Sequence, residues 1–256
     1  MAQKDGAEIK TSFFEREKLQ ARAIKEIGVA FGKRVVLKGG GALRFVFGSP
    51  RESEDLDYDV EPALTKEKLA EKMVKVLKTL GVEFSAPKQT QTVQRWKIVL
   101  LPGIPFKLEF SRREEILPAE IRVTTVDFSP WNLKESGMVC HYPLDVLFRQ
   151  KLSAMTSLHR LASRDVFDLY FITALAVRAG VTLVLPGEVT AKSVLDKVME
   201  ISEQQVREEL FPLLPPEIRE TFEYADMVVA LDERLRGIEI LAQRKDLSGP
   251  AGEPRL

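Results

Sequence analysis

Two segments constrain this chain more than the rest of it: Leu37-Lys38-Gly39-Gly40-Gly41-Ala42-Leu43-Arg44, and Arg51-Glu52-Ser53-Glu54-Asp55-Leu56-Asp57-Tyr58-Asp59 shortly after it. The first carries the apolar run Val35-Val36-Leu37 into three glycines. That pattern predicts a strand, a glycine turn and a helix whose first backbone N–H groups face an anion. The second segment alternates. Side chains two apart share a face of a strand, so Asp55, Asp57 and Asp59 project from one side and Leu56, Tyr58 and Val60 from the other. Three carboxylates on one pleat repel one another, so a positive charge is expected to compensate them. Oxygen-only ligands suit Mg²⁺ or Mn²⁺, and magnesium commonly sits between one or two carboxylates and the phosphates of a substrate. An acid run by itself is most often solvated surface. The apolar partners and the preceding glycine turn favour a phosphate cradle beside a metal site instead.

At these residues the chain resembles the nucleotidyltransferases of the DNA polymerase beta superfamily, and within it the AbiEii/AbiGii-type toxin family. That family shows a K-G-G-x-A-L-R segment followed by R-x-S-x-D-L-D, matched here from Lys38 to Arg44 and from Arg51 to Asp57. Two more segments extend the likeness. Pro105-Phe106-Lys107-Leu108-Glu109-Phe110 alternates like a strand and fits the family's [KR]-h-[DE] pattern, which makes Glu109 the third acid near the metal pair. Taken without the family, Glu109 is an ordinary strand glutamate. The stretch from Lys151 to Met155, with Ser163-Arg164-Asp165-Val166-Phe167-Asp168-Leu169, resembles the family's lysine helix and its R-D-x-x-D-L motif. Asp165 and Asp168 lie three apart and so share one helix face, while Ser163 before Asp165 reads as a helix N-cap.

The resemblance implies a fold and a set of roles. The fold is α/β (α+β), a polymerase beta-like nucleotidyltransferase core with a mixed sheet, followed by a helical domain that completes the active site. Asp55, Asp57 and Glu109 are the metal ligands. Asp55, Asp57, Glu109, Lys151 and Asp168 are the catalytic set, and Gly39, Gly40, Gly41, Arg44, Ser53 and Lys151 bind the nucleotide. Two divalent ions would serve the acceptor hydroxyl and the triphosphate. The implied activity is Mg²⁺- or Mn²⁺-dependent transfer of a nucleoside monophosphate from a triphosphate to an acceptor hydroxyl, with RNA, the 3′ end of tRNA, as acceptor and a protein antitoxin as partner. One departure stands out: the family carries Thr or Ser where this chain has Gly41, which removes a hydroxyl able to reach a phosphate. That change motivates the alternative of a non-catalytic nucleotide-binding regulatory module. Nucleotidylation of a protein or small molecule, and a purely structural role, are the other readings.

Composition bounds these readings. With 256 residues, 45% of them apolar, the chain can bury a core. A single cysteine, Cys140, excludes an intrachain disulfide, and His141 and His159 are too few for a Cys/His zinc site. Thirty-eight basic residues balance 38 acidic ones, so any hold on nucleic acid is local, as around Arg95, Lys97, Lys107, Arg112 and Arg113. No apolar run of membrane-spanning length occurs, which predicts no membrane insertion and a cytoplasmic protein.

Periodicity predicts helices over 11–31, 64–80, 143–159, 163–179, 189–209 and 215–243. Strands are expected near 82–85, 92–101, 105–111 and 121–128, with a hairpin turn at Pro102-Gly103. The domains follow as 1–135 (α/β) and 136–245 (helical), with a disordered tail at 246–256.

Overall fold

Alternation along the strands puts apolar side chains on one side of a sheet, and the first of two units is built on that side. The computed structural model describes residues 2–100, 104–156, 162–187 and 189–247. The first unit runs to Pro143 and the second starts at Leu144. In chain order the first holds α1 (Ala2–Phe31), β1 (Val35–Lys38), α2 (Gly39–Phe45), β2 (Leu56–Val60) and α3 (Lys66–Leu80). Then come β3 (Glu83–Phe84), β4 (Lys88–Gln89), β5 (Val93–Leu100), β6 (Ile104–Arg112), β7 (Arg122–Asp127) and β8 (Ser136–His141).

The strands form one mixed sheet in the order β3-β5-β6-β2-β1-β8-β7, with β4 on β5. β1 pairs antiparallel with β2 and parallel with β8, while β2 pairs parallel with β6. The central acid strand therefore has a neighbour on each side. Leu37, Leu56, Tyr58, Trp96, Leu108 and Phe110 are all buried on the apolar side. There Tyr58 stacks on Phe110 at 5.1 Å and Trp96 meets the same ring edge-on at 5.4 Å. α1 packs on α3, β6 and β8, and its Phe31 reaches Phe110. α3 presents Leu69, Met73, Val76, Leu77 and Leu80 as a buried stripe; Thr65 caps its start and left-handed Gly81 ends it.

The second unit is helical: α4 (Leu144–Thr156), α5 (Ser163–Ala179), α6 (Ala191–Val198), α7 (Glu203–Glu209), α8 (Pro216–Arg219) and α9 (Tyr224–Leu247). α5 packs on α4, α7 and α9, and α6 packs on α4 and α9. No helix among the described residues is long and apolar enough to cross a membrane.

Several expectations shift. The helix expected from residue 11 starts at Ala2, and the helix expected to stop at 243 reaches Leu247, past the start of the expected tail; 248–256 lie outside the described residues. The Pro102-Gly103 turn also lies outside them, although β5 and β6 pair antiparallel down to Leu100↔Ile104. The segment read as one helix over 189–209 is two, because Ser202 accepts from Gln205 N–H and starts α7 afresh. The last segment also divides, between α8 and α9, where Phe222 packs on Phe167 and Phe211. β8 had no expectation at all. It pairs with β7 over its whole length and with β1 at Leu37↔His141, so the first unit runs past residue 135.

His141 is buried in that added strand. Its Nδ1–H donates to the Tyr142 carbonyl, which can only accept, and so Nε2 accepts from the Thr124 hydroxyl at 2.8 Å. Desolvation holds the imidazole below its usual pKa of 6.5, with Arg122 adding to the shift against the raising effect of the Tyr142 carbonyl. The unfolded chain then binds the proton more readily. The stability His141 contributes is complete above pH 6.5 and is lost as pH falls through the depressed native value. Thermal melts of the protein between pH 7.5 and 5.0 are expected to show a fall in Tm that His141→Gln makes shallower; equal slopes would remove the assignment.

Candidate active site

Strand register assembles the charged side of the sheet. Lys38 on β1 is opposite Asp57 on β2, Asp57 is opposite Glu109 on β6, and Glu109 is opposite Arg95 on β5. Partners in register share a face, so these four side chains form one row reading plus, minus, minus, plus. The two adjacent carboxylates repel, and the flanking cations offset that. Arg95 donates to Glu109 through Nε at 2.7 Å and also through Nη2. In the next row, Asp55 lies one residue before β2. Its Oδ1 accepts the Lys107 backbone N–H at 2.9 Å and its Oδ2 the Lys107 ammonium at 3.2 Å. Lys107 and Arg95 keep about half their side-chain surface in water, at 52% and 46%. Exposed pairs of this kind are worth about 0–1 kcal/mol.

Asp59 differs. The strand pattern puts it on the acid side, yet it is fully buried at 0% exposure. Lys38 Nζ at 2.5 Å, Arg113 Nε at 2.8 Å and the Tyr142 hydroxyl at 2.9 Å all donate to it. Burial works against the Arg113 charge, but Asp59 more than offsets this and holds the guanidinium above its usual pKa. Burial first, then the Asp59 charge, pushes the Tyr142 phenol up. The compensating charge expected from three carboxylates on one pleat is therefore present as side chains.

The glycine turn touches this row. Gly39 is left-handed at φ +61°, and a Cβ there would stand 3.3 Å from Asp57 Oδ2. A Cβ on Gly40 would fall 2.6 Å from Arg51 Nη2 and 3.0 Å from Ser53 Oγ. The left-handed backbone asks for glycine at 39, and a side chain at 40 would have to push Arg51 and Ser53 aside. Gly41 is buried instead, and its Cβ would meet Leu56 at 3.0 Å and Leu37 at 3.5 Å. A side chain at 41 would start against these two leucines, with the Asp55 carbonyl 3.7 Å from its Cβ.

Two other sequence candidates have local partners. Ser53 donates to the Asp55 carbonyl at 2.8 Å, which braces the loop carrying Asp55. Arg44 meets Glu17 through Nε at 2.6 Å and Nη2 at 2.9 Å, and donates to the Ser49 carbonyl at 2.8 Å. A bidentate pair to a buried carboxylate makes Arg44 a brace between α2 and α1. Sequence reasoning missed the other half of that brace. On α1, Arg16 pairs with Glu52 at 3.1 Å, Glu17 also accepts from Trp131 Nε1 at 3.2 Å, and fully buried Gln20 donates to the Ser53 and Glu54 carbonyls at 3.1 and 3.3 Å. The available signal was polar residues at 16, 17 and 20 on the helix face that also carries Leu19, Ala23 and Ile24.

In the helical unit, Lys151 of α4 puts its ammonium 2.7 Å from Asp165 and 2.6 Å from Asp168 on α5. The shared face expected for these two aspartates therefore holds one lysine. Ser163 is not the N-cap. Ala162 takes that position, and the Ser163 N–H and hydroxyl both go to Glu209 of α7 at 3.0 and 3.2 Å, so a glutamate from another helix satisfies the helix start.

The carboxylates of Asp55, Asp57 and Glu109 suit a hard divalent cation by donor type. Among the described residues no three His, Cys, Asp or Glu side chains are gathered into a metal cluster, and Asp55 and Glu109 are paired with Lys107 and Arg95.

Residues 24–229 match the family described as nucleotidyl transferase AbiEii toxin, type IV toxin–antitoxin system. The chain belongs to the AbiEii family. No curated protein matches it in sequence. Among solved structures, JHP933 from Helicobacter pylori is similar with a TM-score of 0.63 and 20% identity, over 92% of this chain and 95% of that one. A putative nucleotidyltransferase from H. pylori gives 0.60 at 19% identity, over 90% and 96% of the two chains. MenT4, a nucleotidyltransferase toxin from Mycobacterium tuberculosis, gives 0.52 at 17% identity, over 87% and 81%. At such identities the likeness is one of fold. AbiEii membership makes the chain a nucleotidyltransferase toxin and implies a nucleotide substrate and an antitoxin partner. Enzymes of this kind generally use divalent metal ions.

Two stability measurements test the architecture around these residues. Lys151→Met takes the ammonium away from two buried aspartates, and removing one partner of a buried ion cluster costs about 3–5 kcal/mol; chemical denaturation should record it, and a change below about 1 kcal/mol would contradict the buried cluster. Gln20→Leu leaves two loop carbonyls without their donor and should cost about 1–3 kcal/mol in the same assay.

Proposed function

We propose that this AbiEii protein transfers a nucleoside monophosphate from a nucleoside triphosphate to a hydroxyl at an RNA 3′ end, with tRNA as the acceptor. The observation that carries the reading is the row Lys38, Asp57, Glu109, Arg95 running beside the Gly39–Gly41 turn, with Asp57 Oδ2 next to Gly39. Carboxylate oxygens and the start of α2 thereby meet on the central strands of the sheet. In this reading Asp55, Asp57 and Glu109 would hold divalent cations, Mg²⁺ or Mn²⁺, which would neutralise charge on the triphosphate and lower the pKa of the acceptor hydroxyl. The turn from Gly39 to Gly41 lies along the phosphates, and Ser53 steadies the loop of Asp55. From the resemblance, Glu109 would serve the attacking hydroxyl. From the resemblance, Lys151 contacts phosphate and Asp168 fixes its ammonium.

Asp59, Lys38 and Arg113 form a fixed cluster with one more positive than negative charge, which favours a polyanion beside Asp57. The alternative of a non-catalytic regulatory module drew on the glycine at 41. A Cβ at that position would meet Leu56 and Leu37 first and the Asp55 carbonyl at 3.7 Å, which supports the catalytic reading over the regulatory one.

The decisive experiment incubates the purified chain with Mg²⁺, each α-labelled triphosphate in turn, and total tRNA. Label is expected to move to RNA, and Asp57→Ala should lower the rate by about 10²–10³-fold, the usual scale for losing a group that stabilises developing charge. Full activity in Asp57→Ala would refute the assignment. Triphosphate binding without pyrophosphate release would favour the regulatory module, and label on protein instead of RNA would move the acceptor.

A further inference from the structure

We propose that Lys107 and Arg95 are exchange residues: each holds a carboxylate of the acid row by an ion pair, and gives it up to a divalent cation while turning to the oxygens of the triphosphate. The inference rests on the reading that Asp55, Asp57 and Glu109 hold that cation. Asp55 spends both oxygens on one residue, Oδ1 on the Lys107 backbone N–H at 2.9 Å and Oδ2 on its ammonium at 3.2 Å. Glu109 Oε2 takes both Nε and Nη2 of Arg95. Asp55 has no oxygen clear of Lys107, and the Glu109 oxygen that Arg95 holds is open to a metal ion only if the guanidinium moves.

The acid row contains two kinds of pair, and burial separates them. Lys38 and Arg113 are bonded to an aspartate with no exposed surface, which cannot be left alone without a large desolvation penalty. Lys107 and Arg95 are about half in water and hold acids that are themselves partly exposed. Those pairs are weak and their side chains long, so they are the ones that exchange. Lys107 is also directly opposite Lys97 in the β5–β6 register, and like charges in that position repel. A departing ammonium there is attracted to a polyanion. A divalent ion arriving by itself displaces two cations into water, whereas one arriving with a triphosphate gives both a new partner. Metal and nucleotide then favour each other's binding, and the effect is reciprocal.

The two variants Lys107→Met and Arg95→Gln test this in the full chain. Mn²⁺ binding without nucleotide is read from the loss of the free-ion paramagnetic resonance signal. Affinity for a triphosphate analogue with a methylene in the α,β bridge is read by calorimetry at saturating Mg²⁺. Each variant should bind Mn²⁺ about fivefold more tightly than the parent, the scale of an exposed pair, and bind the analogue more weakly. Damage to the fold would weaken both, so opposite signs identify exchange. Unchanged or weaker Mn²⁺ binding, or undiminished analogue binding, overturns the proposal. If the parent chain transfers label and binds Mn²⁺ through Asp57 while the variants do not differ from it, exchange alone fails. If the parent binds no Mn²⁺ with Asp57 intact, the metal reading fails and takes the inference with it.

Discussion

Everything on the charged side of the sheet depends on how β2 keeps its carboxylates. The strand is central, flanked by β1 and β6, and its apolar residues face a filled core. Its acids cannot rotate away without breaking that packing. Asp57 faces Glu109 across the parallel pair, and Asp59 has no exposed surface. β1, β5, β6 and the segment after β6 bring cations to offset that charge. The cations are as much a part of the sheet as its hydrogen bonds.

Buried ion clusters are a poor way to gain stability, since desolvation offsets most of the attraction. Asp59 with Lys38, Arg113 and Tyr142 does something other than stabilise: it fixes a charge distribution next to the glycine turn. The polar seam of α1 works in the same direction. Arg16, Glu17 and Gln20 lie where an amphipathic helix normally places apolar residues, and they grip the loop from Glu52 to Glu54 and the helix after the turn. A helix with an all-apolar face would pack as well and would leave those loops unanchored. Positioning of this kind is what a site acting through charge neutralisation requires.

Local signals were legible from the residues alone, and their limits are instructive. The glycine run, the alternation of β2 and β6, the stripe of α3 ending at Gly81 and the face shared by Asp165 and Asp168 all lie within one turn or one strand. Where a feature depends on a distant partner, the reading fell short. β8 has Gly137 and a short, irregular pattern, and is a strand because β1 and β7 are there to pair with it. Ser163 looked like a cap because the glutamate that serves its N–H comes from another helix. The bond from Arg44 to Glu17 was not legible because that glutamate lies 27 residues away. The division between α6 and α7 was legible in principle, since Ser202 followed by Gln205 is a helix-start pattern, and was passed over in favour of a longer period.

By itself the sequence determined which residues could make the chemistry: the period of two put Asp55, Asp57 and Asp59 on one side, and Gly39 and Gly40 left no side chain between the turn and that side. It determined the family as well, through motifs whose residues are close neighbours. Only the tertiary structure decided what each charge meets. Lys107 is 52 residues from Asp55 and Arg113 is 54 from Asp59, separations over which no local period carries information. Strand register fixes those pairs, and register is set by the packing of the opposite, apolar face. Burial then ranks them, making Asp59 a fixed anchor and leaving Asp55 and Glu109 with partners they can exchange.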